Sequence, residues 1–169
     1  VGEQAGIFMS PNKSFRVPED DTVPMIMVGP GTGVAPFRAF LEERRERSAS
    51  GANWLFFGDQ HRKCDFIYED EISTFSETGL LTRLDLAFSR DQADKVYVQH
   101  RLIENGKDIY SQLENGGHFY VCGDATRMAK DVDKALHAII KNHGKHDQDA
   151  AIEYVNRLKR EKRYVRDVY

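Results

Sequence analysis

Gly29-Pro30-Gly31-Thr32-Gly33 follows an apolar run, Met25-Ile26-Met27-Val28, and leads into a helix-compatible segment from Pro36 to Arg47. A strand, a glycine-rich turn and a helix N-terminus in succession aim backbone N–H groups and the positive end of a helix dipole at one spot, where an anion can sit. The loop is not a P-loop, because Val34 follows Gly33 where Lys-Ser/Thr would be needed. Its glycines also recur at every second residue, unlike the three glycines of the dinucleotide fingerprint. Spacing alone leaves two readings open: an anion cradle, or a plain turn in which glycine supplies positive φ.

A second segment tips the balance. Ser89-Arg90-Asp91-Gln92 and Lys95-Val96-Tyr97-Val98-Gln99 place a hydroxyl, a guanidinium, an ammonium and a phenol within a few positions after a strand-like stretch. A phosphate monoester wants a charged fork, a point charge and short hydroxyl donors, and a tyrosine ring can stack on a purine. Asp59 competes, since an acidic residue after the second strand normally accepts from a free ribose 2′-hydroxyl and favours NAD. Arg62 and Lys63 follow it closely and dilute its field. The four-residue phosphate set outweighs the lone carboxylate, and the expected nucleotide is NADPH.

Cys122-Gly123-Asp124 ends another apolar run, and Gly123 there permits close approach of a flat ring. Cys122 offers a small polarizable side chain, with a buried structural thiol as the alternative; nothing nearby in sequence supports a nucleophile. Other features read as surface. His143 and His146 lack partners at zinc-site spacing, so no metal site is expected. Arg157–Arg163 reads as the solvated face of an amphipathic helix, and Glu42-Glu43 as helix surface.

These residues need elements to hold them. Met25–Val28, Asn53–Phe57, Leu80–Phe88 and His118–Cys122 read as strands, with 164–169 alternating like a last one. Helices are expected over Pro36–Arg47, Phe66–Phe75, Val96–Asn105, Ile109–Glu114 (with the break at Gly106), Arg127–Asn142 and Asp147–Lys162. Continuous apolar strands alternating with helices imply an α/β fold: a doubly wound parallel sheet of about five strands with helices on both faces. Ligands in such sheets bind beyond the carboxyl ends of the strands. The glycine loop, Gly58-Asp59, Ser89-Arg90 and Cys122-Gly123-Asp124 all fall at such ends.

The chain has 169 residues, enough for one ordinary domain and its core, and a formal net charge of −3. That mild charge gives no field to attract nucleic acid. No run is long and apolar enough for a membrane helix, and no secretory signal opens the chain. Two cysteines, Cys64 and Cys122, suit free thiols in a cytoplasmic protein better than a secreted scaffold. The start at Val1 suggests a fragment or processed product. Residues 1–21 do not share the alternating pattern: they read as the end of a preceding β-rich domain (Ile7-Phe8-Met9, then Phe15-Arg16-Val17) and an acidic linker.

Gly29–Arg38, Ser89–Gln92, Lys95–Gln99, Cys122–Ala125, Met128–Val132 and the terminal Arg166-Asp167-Val168-Tyr169, taken in order, resemble the ferredoxin–NADP reductase superfamily, its diflavin reductase branch, and most closely the sulfite reductase flavoprotein family at its C-terminal NADP-binding domain. The resemblance covers nearly the whole chain. It implies an NADP-binding domain over residues 22–169, with residues 1–21 closing an FAD-binding domain. It implies that Gly31, Thr32 and Gly33 face the pyrophosphate and nicotinamide. Ser89, Arg90, Lys95 and Tyr97 would hold the 2′-phosphate and adenine, with Val96, Val98, Gln99 and Asp131 in the same nucleotide site. Cys122 would flank the nicotinamide, Asp167 assist hydride transfer, and Tyr169 stack on FAD. The implied partners are the FAD and FMN domains of the same chain and a sirohaem, iron–sulfur subunit that reduces sulfite. The family's Arg-x-Tyr-Ser flavin motif and the FMN domain are absent from these residues, so tight flavin binding is not expected of them alone.

Overall fold

A computed structural model describes residue 6 and residues 12–169 of the chain. Five strands form one parallel sheet: β1 (Met25–Val28), β2 (Asn53–Asp59), β3 (Arg83–Phe88), β4 (His118–Gly123) and β5 (Tyr164–Val168). Their order is β3-β2-β1-β4-β5. The chain winds outward from β1 to β3, recrosses the sheet, and winds outward again to β5. The reversal lies between β1 and β4, where the connections that follow the two strands leave toward opposite faces of the sheet and open the crevice in which such folds bind ligands.

The strands read as unbroken apolar runs because both faces are covered. Side chains alternate along each strand. Ile26, Val28, Trp54, Phe56, Phe119 and Val121 pack against α4 (Val98–Glu104), α5 (Gly106–Glu114), α6 (Met128–His143) and α7 (Gln148–Arg160). Met25, Met27, Leu55, Phe57, Tyr120 and Cys122 face α1 (Ala35–Glu46) and α3 (Glu69–Glu77). The doubly wound expectation holds.

Several boundaries differ from the sequence reading, each for a packing reason. The helix expected over Phe66–Phe75 begins only at Glu69, as α3, and a short helix not expected from the sequence, α2 (Arg62–Asp65), precedes it. Phe66 lies between them, out of helical geometry at φ −78°, ψ 76°. It stacks on Phe57 with centroids 4.8 Å apart, a contact worth about 1 kcal/mol beyond its burial. β3 begins at Arg83 rather than Leu80, because Leu81 N–H bonds back to the Phe75 carbonyl. The α4–α5 break falls at Asn105, one residue before Gly106, and the Asn105 amide reaches across to Asp85 Oδ1 at 3.0 Å. Arg163 lies beyond α7, and its guanidinium turns inward onto the carbonyls of Leu113 and Gly117, so the basic run is not wholly a solvated face.

The segment before β1 is tied to the domain. Phe15 and Val17 are buried in the α1-side core without forming a strand, and Tyr120 Oη donates to Arg16 O at 2.7 Å. Fully buried Arg44 donates Nη2 to the carbonyls of Val23 and Gly51 at 3.2 and 2.9 Å. The Ile7-Phe8-Met9 expectation lies outside the described residues.

Candidate functional site

A cleft of about 460 Å³ opens at the β1/β4 switch point. Its floor is the glycine loop. Gly31 adopts φ +56°, a conformation that disfavours side chains. Gly33 packs so tightly on β4 that a Cβ there would meet the Cys122 carbonyl oxygen at 2.1 Å. The loop then forms a short 3₁₀ turn, Gly31–Val34, that runs directly into α1. Gly33 N–H bonds to Pro30 O at 3.1 Å, while among the described residues the Gly31 and Thr32 amides donate to no backbone carbonyl. Bare amides at a helix entrance suit an anion.

The outer wall comes from the β2 and β3 ends. Gly58, Asp59, Gln60, Ala87 and Ser89 line it, followed by Tyr97, Val98 and Gln99 at the start of α4. Ser89 is nearly buried and its N–H donates to Asp59 O at 2.8 Å. Tyr97 is 41% exposed, so its ring is free to stack on a flat partner. On the opposite wall stand Asp124, Arg127, Met128 and Asp131 at the start of α6. Asp124 holds that helix end in place. The Thr126 hydroxyl and the N–H groups of Met128, Arg127 and Thr126 surround its carboxylate and hold its pKa far below the usual range.

Of the residues singled out in the sequence, Gly31, Ser89, Tyr97, Val98, Gln99 and Asp131 line this cleft. Arg90 and Lys95 do not; they stand exposed beyond its edge, without an ion-pair partner among the described residues. Val96 packs against the α4-side core. Thr32, Gly33, Cys122, Asp167 and Tyr169 form a second group beside the β4/β5 end. Asp167 is the register partner of Cys122. Tyr169 N–H bonds to Gly123 O at 3.1 Å, and its exposed ring reaches Thr32, with hydroxyl oxygens 2.8 Å apart. Cys122 is 4% exposed on the α1-side face; burial, and then the nearby Asp167 carboxylate, push its thiol up to about 11. Such a setting favours the neutral thiol at neutral pH.

The cleft also contains residues that the site reading had not assigned: Pro30, Asp59, Gln60, Asp124, Arg127 and Met128. Asp59 had been weighed only as a marker for NAD. Asp124 carries a signal, an acidic residue four before the start of α6, within reach of the free N–H groups at that helix entrance. Met128 opens the Met128–Val132 segment of the resemblance, while Gln60 and Arg127 carry no signal. Both cysteines are free, and among the described residues no group of three or more His, Cys, Asp or Glu is placed to hold a metal. No helix among the described residues is long and apolar enough to cross a membrane.

Comparison with known proteins fits this geometry. The chain is 54% identical over 168 residues to the sulfite reductase (NADPH) flavoprotein alpha-component of Vibrio vulnificus, covering 99% of the chain and 27% of that protein. It is 53% identical to the protein of that name from Shewanella sp. strain MR-7, and 49% to that of Aliivibrio fischeri, each over 99% of the chain and 28% of the relative. The chain thus spans little more than a quarter of the length of these curated relatives. Residues 27–134 match the family model described as the oxidoreductase NAD-binding domain. That match takes in the glycine loop, both walls of the cleft, the end of β1 and the whole of β2, β3 and β4, and the chain belongs to the oxidoreductase NAD-binding domain family.

Proposed function

We propose that this chain is the NADPH-binding domain of a sulfite reductase flavoprotein, and that it orients the nucleotide for hydride delivery to FAD. The observation that carries the reading is a glycine-floored cleft at the switch point together with two cations, Arg90 and Lys95, that have no ion-pair partner among the described residues, beside Ser89 and Tyr97 at its outer edge. A 2′-phosphate gives those cations a partner, and the Gly31–Thr32 amides suit the pyrophosphate.

The donor set fits the dinucleotide. Ser89, Arg90 and Lys95 would grip the 2′-phosphate. Tyr97 would stack on adenine, with Gln99 and Asp131 beside it. Thr32 and Gly33 would seat the nicotinamide end near Cys122 and Asp167. The neutral Cys122 thiol can contact the ring or donate a weak hydrogen bond; Asp167, exposed beside it, would assist the transfer. Tyr169 would lie against the flavin. NADPH supplies the hydride and the flavin accepts it.

Residues 22–169 would form the NADP-binding domain, and residues 1–21 the end of an FAD-binding domain with its linker. The small share of the relatives' length supports further domains for FAD and FMN, with electrons passing to a sirohaem, iron–sulfur beta subunit in the cytoplasm. The names of the relatives support sulfite as the final acceptor.

Nucleotide titration of the flavoprotein that carries this chain tests the reading. Arg90→Ala should weaken NADPH by about tenfold to a hundredfold, the loss of charge-assisted bonds to phosphate, and leave NADH nearly unchanged. Equal losses for both nucleotides would remove the 2′-phosphate role.

A further inference from the structure

The loop that carries Arg90 is pinned in large part by its neighbour. Ser89 and Arg90 donate their N–H groups to the carbonyls of Asp59 and Gln60, at 2.8 and 2.9 Å. Asp91 reaches further along the same neighbouring loop. Its Oδ2 accepts from the Arg62 N–H at 2.9 Å, and its Oδ1 lies 3.0 Å from His61 Nδ1. His61 is itself fixed, since its N–H donates to Asp65 Oδ2 at 2.8 Å. Within the β3-end loop itself, Gln92 Nε2 donates to Phe88 O and Asp94 O at 2.7 and 2.9 Å. The β3-end loop is thus clamped onto the β2-end loop.

We propose that the Asp91–His61 pair is a specificity clamp, which positions Arg90 for a 2′-phosphate and keeps the Asp91 carboxylate from neutralising it. The proposal rests on the NADPH reading above. Its physical content is a competition. Asp91 and Arg90 are adjacent, and a carboxylate beside a free guanidinium would ordinarily pair with it. Here both Asp91 oxygens are engaged by the other loop, and Arg90 has no ion-pair partner among the described residues. The Arg62 N–H and then His61 hold the Asp91 carboxyl below its usual range, consistent with a carboxylate already satisfied where it lies. Asp91 and His61 are positioning residues, since neither lines the cleft.

The sign of the effect separates a clamp from simple electrostatics. Removing a negative charge near a phosphate site should strengthen phosphate binding, whereas removing a clamp should weaken it. Calorimetric titration of the full-length flavoprotein with 2′,5′-ADP and with 5′-AMP reads the difference. Asp91→Ala should weaken 2′,5′-ADP about tenfold, the loss of an ordered charge-assisted contact, and leave 5′-AMP within about twofold. His61→Ala should weaken 2′,5′-ADP by a smaller factor, and His61→Asn, whose amide nitrogen can replace Nδ1, should restore it. Tighter 2′,5′-ADP binding in Asp91→Ala, or equal loss of both ligands across Asp91→Ala and His61→Ala, would overturn the clamp. A wild-type protein with no preference for 2′,5′-ADP over 5′-AMP would overturn the NADPH reading itself, and the clamp with it.

Discussion

Gly33→Ala should damage this domain more than any other glycine-to-alanine change in the site loop. A Cβ at Gly33 would sit 2.1 Å from the Cys122 carbonyl oxygen, 2.7 Å from the Cys122 carbonyl carbon and 3.2 Å from the Gly123 Cα. All three neighbours are backbone, so no rotamer change relieves the contact. An ordinary carbon–oxygen contact needs about 3.3 Å. The loop and β4 must therefore part by about 1 Å at the mouth of the crevice. Overpacking of this kind typically costs about 1–3 kcal/mol; with only backbone to yield, the upper end, about 3 kcal/mol, is expected. With a urea slope of about 1–3 kcal/mol per molar, the unfolding midpoint should fall by at least about 1 M. The same displacement moves the Gly31–Thr32 amides away from the cleft, so NADPH affinity should drop about tenfold or more. Gly79→Ala is the control. Unlike Gly33 it sits in the left-handed region, at φ +78°, but its Cβ would meet nothing within 4 Å, so it should cost about 1 kcal/mol of strain and leave NADPH binding intact. Urea unfolding and fluorescence titration of both variants suffice. A Gly33→Ala protein as stable as the parent, or destabilised with unchanged NADPH affinity, would refute the packing argument.

Two further outcomes concern titratable groups, Asp124 in the cleft and the two thiols outside it. Asp124→Asn should destabilise the protein by loosening the start of α6, and the deficit should depend on pH. The folded-state pKa of Asp124 is depressed, so its contribution is fully present above its unfolded value of about 3.9 and is lost as the pH falls toward the folded value. Unfolding curves of the two proteins should differ by a constant amount from pH 7 to 5 and converge in stronger acid; a gap that widens in acid would contradict the capping role. For the thiols, a thiol-reactive dye at pH 8 should label exposed Cys64 readily and buried Cys122 slowly, with both labelled rapidly in denaturant. Two fast thiols in the native protein would show that Cys122 is neither as buried nor as hard to ionise as the structure has it.

Much of the fold was legible because its signals are local. Unbroken runs such as Trp54-Leu55-Phe56-Phe57 pointed to strands covered on both faces, and the stripe Met128, Val132, Leu136, Ile139 to a core-facing helix, as found. Where the reading slipped, a distant partner decided the local conformation. Phe66 left helical geometry to stack on Phe57, and Arg163 left the solvated face for carbonyls at the end of α5. No periodicity within a single segment encodes either contact.

The same division runs through the site. Residue type and spacing along single elements already carry the available chemistry: a glycine loop at a strand end, a hydroxyl, guanidinium, ammonium and phenol in one stretch, and a terminal tyrosine. How these groups are shared out is a matter of the folded arrangement. It set the β3-β2-β1-β4-β5 order that opens the crevice between β1 and β4. It brought Asp59, Arg127 and Met128 into that crevice, turned Cys122 toward the α1 face, and engaged Asp91 with His61, leaving Arg90 without an ion-pair partner among the described residues. The physical reason is the parallel sheet. Neighbouring strand ends are joined by long crossovers, so the residues that meet at its rim lie tens of positions apart, and their meeting is fixed by strand order and packing.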